Sequence, residues 1–143
     1  MRRPLLAVLL VGACAPAGSS ATQGPAATPR PVTAPILRTS LTISGQPLRL
    51  PAQAAEMAAA ATEISAGGRI PVHQHPWQRI VYVERGPIRV INRDTGETKE
   101  FASGQVFAEA VGQWHEGVAA GAAGARLIVI DIVPPGATNL VAR

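Results

Sequence analysis

The feature that most constrains the fold of this chain is a series of short β-type runs separated by glycine and proline. Gly and Pro together interrupt the sequence at close intervals after residue 36. This spacing is typical of strands joined by tight turns. Many short strands without alternating helices favour a β-sandwich or barrel. The predicted strand runs are Leu41–Ile43, Leu48–Leu50, Ile80–Val83, Ile88–Ile91, Lys99–Phe101, Val106–Ala110 and Leu127–Val133.

One stretch, Ala52–Thr62, favours a helix by composition because alanine is the best helix former. A helical turn at Ala52–Glu56 fits this propensity. However, Glu63-Ile64 followed by Gly67-Gly68 is typical of the end of a strand, and barrel packing commonly overrides local propensity. We therefore predict a strand over Met57–Ile64.

Composition limits the core and the partners of the chain. Aromatic residues make up only 3% of the 143 residues, so the core of this single domain must consist mainly of Val, Ile, Leu and Ala. The net charge is +4, and the Lys and Arg residues form no basic run. The clustered charge of a nucleic-acid-binding protein is therefore absent from the sequence, and we expect no nucleic-acid partner.

The first residues are predicted to be an export signal. Met1–Ala13 carries two arginines, a short apolar run and small residues, which is the pattern of a signal peptide. The run Val11-Gly12-Ala13-Cys14 resembles the lipobox of bacterial lipoproteins, which implies acylation of Cys14 and attachment to the membrane by the lipid alone. Residues 14–35 then form a flexible linker, and 36–143 form the folded domain. The resemblance further implies the periplasmic side of the outer membrane if the cell has one.

The three histidines of the chain are candidates for a metal site. His73 and His75 are two residues apart, so on a strand their side chains share one face. His115 lies in a second glycine-containing segment, and the fold would have to bring it to the first two. Three protein ligands with open positions are typical of a catalytic metal site. The alternative is that the pair on the strand simply faces water.

The segments around these histidines resemble the two motifs of the cupin superfamily, especially its small single-domain bacterial members. Gly67, His73, His75 and Gly86 match the first motif, and Gly104, Gly112 and His115 match the second; Ala110 and Ala119 replace its usual Pro and Asn. The resemblance covers about Leu41 to Val133. It implies an all-β, single-domain jelly-roll barrel (a double-stranded β-helix) with the site in the barrel mouth.

The first motif departs from the family at its glutamate ligand. Arg79, or Ile80 with the longer spacing, occupies that position, and neither side chain can bind a metal. Gln78 could supply a carbonyl oxygen, Glu109 could supply a carboxylate, or the three histidines could suffice. We favour the three-histidine site, with Glu109 and Arg79 forming an ion pair at its edge.

A three-histidine site resembles that of the thiol dioxygenases, which implies Fe(II), although Mn, Ni, Zn or Cu also suit imidazole ligands. The enzyme would be a metal-dependent dioxygenase or isomerase, and Arg79 would hold the negative group of its small anionic substrate by a bidentate contact. The alternatives are a cupin that binds a small ligand or metal without catalysis, and a purely structural protein. The family resemblance also implies a homodimer.

Overall fold

A computed structural model describes residues 30–143, and Met1–Ala13 and Cys14 lie outside this range. The compact unit Ala34–Arg143 is built from strands. They are β1 (Glu56–Ile64), β2 (Arg69–Gln74), β3 (Gln78–Arg85), β4 (Ile88–Asn92), β5 (Thr98–Phe101), β6 (Val106–Ala108), β7 (His115–Ala119), β8 (Ala125–Val133) and β9 (Val141–Ala142). Residues 30–143 contain no helix, and hence none that is long and apolar enough to cross a membrane.

The strands form two sheets, ordered β1-β8-β3-β6 and β5-β4-β7-β2-β9. All of the paired strands are antiparallel, and most neighbours are distant in sequence. Two such sheets packed face to face around one core make a jelly roll. The predicted fold class, an all-β jelly roll, is thereby confirmed.

The alanine-rich stretch is a strand, as predicted, and the helical turn expected at Ala52–Glu56 is wrong. Strand β1 pairs with β8 along its whole length, from Glu56 opposite Val133 to Ile64 opposite Ala125. The backbone hydrogen bonds of this ladder outweigh the modest helix preference of alanine. The strand lies at the edge of its sheet, and most of its side chains are exposed.

The core lies between the sheets and consists mainly of aliphatic side chains, as the composition predicts. Val81 and Val83 of β3 face Ile88 and Val90 of β4, and all four are buried. Two of the few aromatic residues join them: Phe101 and Phe107 stack with ring centroids 4.0 Å apart. Burying these side chains stabilises the fold by about 1.5–3 kcal/mol each.

Alternation along β3 determines which polar groups enter the barrel. Because Val81 and Val83 point into the core, Arg79 also points inward. Asp131 is opposite Arg79 on β8, and the backbone N–H of Glu109 donates to the Arg79 carbonyl from the other side. Glu109, Arg79 and Asp131 therefore form a row of charged residues across the inner face of the first sheet.

Candidate metal centre

The three histidines lie together inside the barrel. His73 is near the end of β2, and His75 follows in an isolated bridge to Val111. His115 begins β7 and is the cross-strand partner of His73. The ring centroids are 4.8 Å apart for His73–His75, 4.5 Å for His73–His115 and 5.0 Å for His75–His115. The structure thus brings the three imidazole rings together, as the sequence analysis expected.

Backbone carbonyls fix the orientation of all three rings. Each Nδ1 lies within hydrogen-bond distance of a carbonyl oxygen, which can only accept, so each Nδ1 carries the proton. Each Nε2 is then left with a free lone pair for a metal. The acceptors are Pro71 for His73 (2.7 Å), Gln113 for His115 (2.8 Å) and Asn139 for His75 (2.6 Å).

A carboxylate completes the cluster. Oε2 of Glu109 lies 2.6 Å from Nε2 of His75 and 3.6 Å from Nε2 of His115. Glu109 follows β6 directly and is only 8% exposed. One ligand atom from each of His73, His75, His115 and Glu109 lies within 4.8 Å of the others. The sequence favoured a site of three histidines alone, whereas the structure groups them with the carboxylate of Glu109, one of the alternatives, from the residue after β6.

The donor atoms of this cluster fit a metal ion. Nε2 of His75, Nε2 of His115 and Oε2 of Glu109 are buried without a hydrogen-bond partner. Buried polar atoms without a partner are costly, and a coordinated cation would remove that cost. Ligands about 2.1 Å from one ion lie roughly 3.0–3.4 Å apart at octahedral or tetrahedral angles. The separations of 2.6 and 3.6 Å to Oε2 bracket that range.

Burial and close contacts shift the pKa values of three groups in the cluster. Burial lowers the pKa of His73 to about 4, so this ring is neutral at pH 7. Burial would raise the pKa of Glu109, but contacts with His115 and His75 outweigh it and hold the pKa well below its ordinary value. The pKa of His115 is raised because its contact with Glu109 outweighs its own burial. The carboxylate is therefore ionised and favours a cation between itself and the imidazoles.

Arg79 does not pair with Glu109, so the expected ion pair at the edge of the site is wrong. Nε and Nη2 of Arg79 donate to the two carboxylate oxygens of Asp131, both at 2.7 Å. Burial would raise the pKa of Asp131, but the bonds from Arg79 and from Asn139 lower it. Arg79 lies between two acidic neighbours, and the imidazoles engage one of them. The guanidinium has a protein partner already, so any substrate anion would have to compete with Asp131.

Gln78, a candidate ligand from the sequence, points to the other side of the sheet. Strand alternation places it opposite in direction to Arg79. Its Nε2 donates to the carbonyls of Arg79 and Glu109, and its buried Oε1 has no partner. Gln78 lines a cavity of about 390 Å³ beside Trp77 and the 46–52 segment, outside the four-residue cluster.

Two residues of this region were missed by the sequence analysis. Asp131 interrupts the apolar run Ile128–Val133, and an acidic residue at an inward position of a strand was a usable signal. Asn139 lies beyond both motifs and has no pattern around it that would have identified it.

Comparisons with known proteins agree with the fold. Residues 61–131 match the Cupin_2 family model, described as a cupin domain. Similar solved structures include the polyketide cyclase RemF from Streptomyces resistomycificus (24% identity, 61% of each chain covered, TM-score 0.51). BH2720 from Bacillus halodurans is similar at 21% identity, with 60% of this chain and 69% of that chain covered and a TM-score of 0.51. The cupin domain of Schizosaccharomyces pombe Cnp3 is similar at 22% identity, with 55% and 56% covered and a TM-score of 0.50.

These likenesses establish a cupin jelly roll. The matched domain and the structural neighbours together support membership of the cupin superfamily. The chain spans about three fifths of the length of the cyclase it resembles. No curated protein shows significant sequence similarity to it.

Proposed function

We propose that this protein is a metal-binding cupin that holds one divalent ion through His73, His75, His115 and Glu109. The observation that carries the proposal is the set of buried, unpartnered Nε2 and Oε2 atoms directed into one small volume. Nε2 of His75 and Oε2 of Glu109 lie 2.6 Å apart, and with the proton of the ring on Nδ1 neither atom can donate a hydrogen bond to the other. The Nδ1 partners hold the rings with the metal-binding atoms free.

The donor set indicates the class of metal. Three imidazoles and one carboxylate suit Fe(II), Mn(II), Ni(II), Cu(II) or Zn(II), and they do not favour Ca²⁺ or Mg²⁺, which prefer oxygen ligands. A mononuclear ion held by four protein ligands can keep open positions for a small molecule. When bound, such an ion supplies Lewis acidity, and a redox-active ion also supplies oxidation chemistry.

The charges of the site favour an anionic ligand. The neutral imidazoles contribute nothing, Glu109 and Asp131 contribute −1 each, and Arg79 contributes +1, so a divalent ion leaves the centre at +1. A small carboxylate would neutralise this charge. Arg79 would orient that ligand if its guanidinium exchanged Asp131 for the incoming carboxylate. A dioxygenase acting on such an anion is the enzymatic form of the proposal.

The second candidate is a cupin that binds metal or a small ligand without catalysis. The bidentate Arg79–Asp131 contact favours it, because the cation expected to hold the substrate is occupied. Loading the protein with Fe(II) and recording oxygen consumption with a panel of carboxylates and thiols separates the two candidates. Metal retention without turnover supports the binding protein.

Metal content tests the proposal common to both. The full chain is to be loaded with Fe(II), Mn(II), Ni(II) and Zn(II) in turn, freed of excess ion and measured by elemental analysis. We expect one ion per chain, and much weaker retention for His115→Ala and Glu109→Gln.

Glu116→Gln is the matched control for these variants. Glu116 is also a buried glutamate beside His115, but it faces outward to Arg69 and Arg93 at 2.9 and 2.5 Å. Its loss should leave the metal content unchanged. Wild-type protein without metal under every loading condition would refute the proposal.

The place of action is also proposed. The sequence pattern of Met1–Cys14 supports export and lipid anchoring, which would put the metal centre at the cell envelope. If residues 14–35 form the linker that their composition predicts, the domain could stand away from the membrane surface.

A further inference from the structure

Asn139 contacts one residue of the metal centre, His75, and two residues beside it, Trp77 and Asp131. Its backbone carbonyl accepts from Nδ1 of His75 at 2.6 Å, and its Oδ1 accepts from the backbone N–H of Trp77 at 2.7 Å. Its Nδ2 donates to Oδ1 of Asp131 at 2.5 Å. The residue is only 6% exposed. It lies eight residues beyond the end of the matched Cupin_2 region.

The two side-chain contacts of Asn139 hold its carbonyl in place. Trp77 is two residues after His75, so the carbonyl and Oδ1 of Asn139 accept hydrogen bonds from two points of the same short segment. The bond to Asp131 secures the side chain from the opposite direction. An amide is needed here because one end must accept from a backbone N–H and the other must donate to a carboxylate.

The rest of the segment runs along the edge of the second sheet. Strand β9 pairs with β2, with Ala142 opposite His73 and Val141 opposite Gln74. The backbone N–H of Arg143 donates to the Val72 carbonyl at 3.3 Å, and its guanidinium lies 5.6 Å from the ring centre of Trp114. The segment therefore lies against β2, the strand that carries His73 and directly precedes His75.

We propose that Asn139 is a positioning residue of the metal centre, which sets the tautomer and orientation of His75 and links that ring to the Arg79–Asp131 pair. The inference rests on the proposed metal site. A hydrogen-bond acceptor on the far nitrogen of a metal-binding imidazole fixes the ring and makes it a better ligand. Because Asp131 bonds both Arg79 and Asn139, an anion that drew Arg79 away would act on His75 through Asn139.

The test uses the full chain with Asn139→Ala and Asn139→Asp, and with Leu140→Ala as the control, since Leu140 is adjacent but 56% exposed. Zn(II) affinity is measured by competition with a chromophoric chelator, and Co(II) absorption spectra report the ligand geometry. Loss of such a partner typically weakens metal binding by about 10–100-fold. We expect that loss and an altered Co(II) spectrum for both Asn139 variants, and neither for Leu140→Ala.

A metal-free measurement separates this inference from the proposed function. Nitrogen-15 NMR of the imidazoles reports the His75 tautomer: wild type should hold the Nδ1 proton, and Asn139→Ala should give a mixture. If wild-type protein binds no metal, the proposed function fails and the NMR result still decides the role of Asn139. Wild-type Zn(II) affinity and an unchanged His75 tautomer in a folded Asn139 variant would overturn the inference. If Asn139→Ala does not fold, Asn139→Asp, which keeps the acceptor for Trp77, gives the decision.

Discussion

Replacing Arg79 with methionine tests whether this arginine stabilises the barrel or serves to bind a substrate. Arg79 and Asp131 make two bonds of 2.7 Å, and their side chains are only 17% and 15% exposed. Arg79→Met keeps much of the volume and removes the charge. Asp131 would be left mostly buried, with Asn139 as its remaining partner.

The size of the effect follows from burial. Removing one partner of a fully buried ion pair costs about 3–5 kcal/mol. Because Asp131 keeps a donor and some contact with water, we expect about 2–3 kcal/mol for Arg79→Met, on the same principle that an unpaired charge is costly in proportion to its burial. The matched control is Arg89→Met, which breaks the exposed Arg89–Glu100 pair (3.0 Å; 46% and 48% exposed). Exposed pairs contribute only about 0–1 kcal/mol.

Urea unfolding of the metal-free proteins at pH 7 measures both changes, and the expected loss for Arg79→Met corresponds to a midpoint lower by roughly 1 M. The pH dependence gives a second check. The pKa of Asp131 is lowered from 3.8 in the folded protein, so the stabilisation is fully present above pH 3.8 and is lost as the pH falls through the lowered value. The difference in the free energy of unfolding between wild type and Arg79→Met should therefore decrease to zero as the pH falls below that lowered pKa. Equal midpoints for the two arginine variants at pH 7 would refute the structural role and leave Arg79 as a substrate-binding group.

Further predictions concern a turn, the anchor and the assembly. Gly124 has φ +75°, and a Cβ there would overlap the Ile64 carbonyl oxygen, so Gly124→Ala should lower the thermal midpoint well beyond the control Gly96→Ala, which has φ +77° and open space. Cys14→Ser should move the protein from the membrane fraction to the soluble fraction if the cysteine is acylated, and an unchanged distribution would contradict the anchor. The homodimer stays a prediction: if copies pair through the exposed edge strand β1, Ala60→Lys should yield monomers by light scattering, and wild-type monomers would contradict it.

Much of the fold was predictable because strand and turn signals are local. Asn92–Gly96 has the composition of a tight turn and forms one: the Asn92 side chain accepts from the N–H groups of Asp94 and Thr95, and Gly96 takes a positive φ. The strands predicted over Leu41–Ile43 and Leu48–Leu50 do not form as extended strands. They form one isolated bridge, between Leu41 and Pro47, and backbone bonds from Thr42 to Gln46 and from Leu48 to Ser40; proline lacks the N–H needed to extend the ladder.

The site was predictable in part, for reasons of geometry. The spacing of His73 and His75 fixes a shared face, so their pairing follows from the sequence. The roles of Glu109 and Arg79 cannot be derived from the sequence. Arg79 has an acidic neighbour on each side, and only the structure shows that its ion pair is with Asp131. Asn139 contacts His75 through its backbone carbonyl. Every residue has such a carbonyl, so the residue type could not predict this contact.

The row Glu109, Arg79, Asp131 also bears on how members of this fold are recognised from linear motifs. Paired residues on neighbouring antiparallel strands lie at the same height inside the barrel. A carboxylate on the adjacent strand can therefore reach the same ion as a carboxylate at the motif position. A chain judged by its first motif alone would be classed as having lost a ligand. Four donor atoms can surround one ion when their side chains lie at the same height inside the barrel, whatever their positions along the polypeptide.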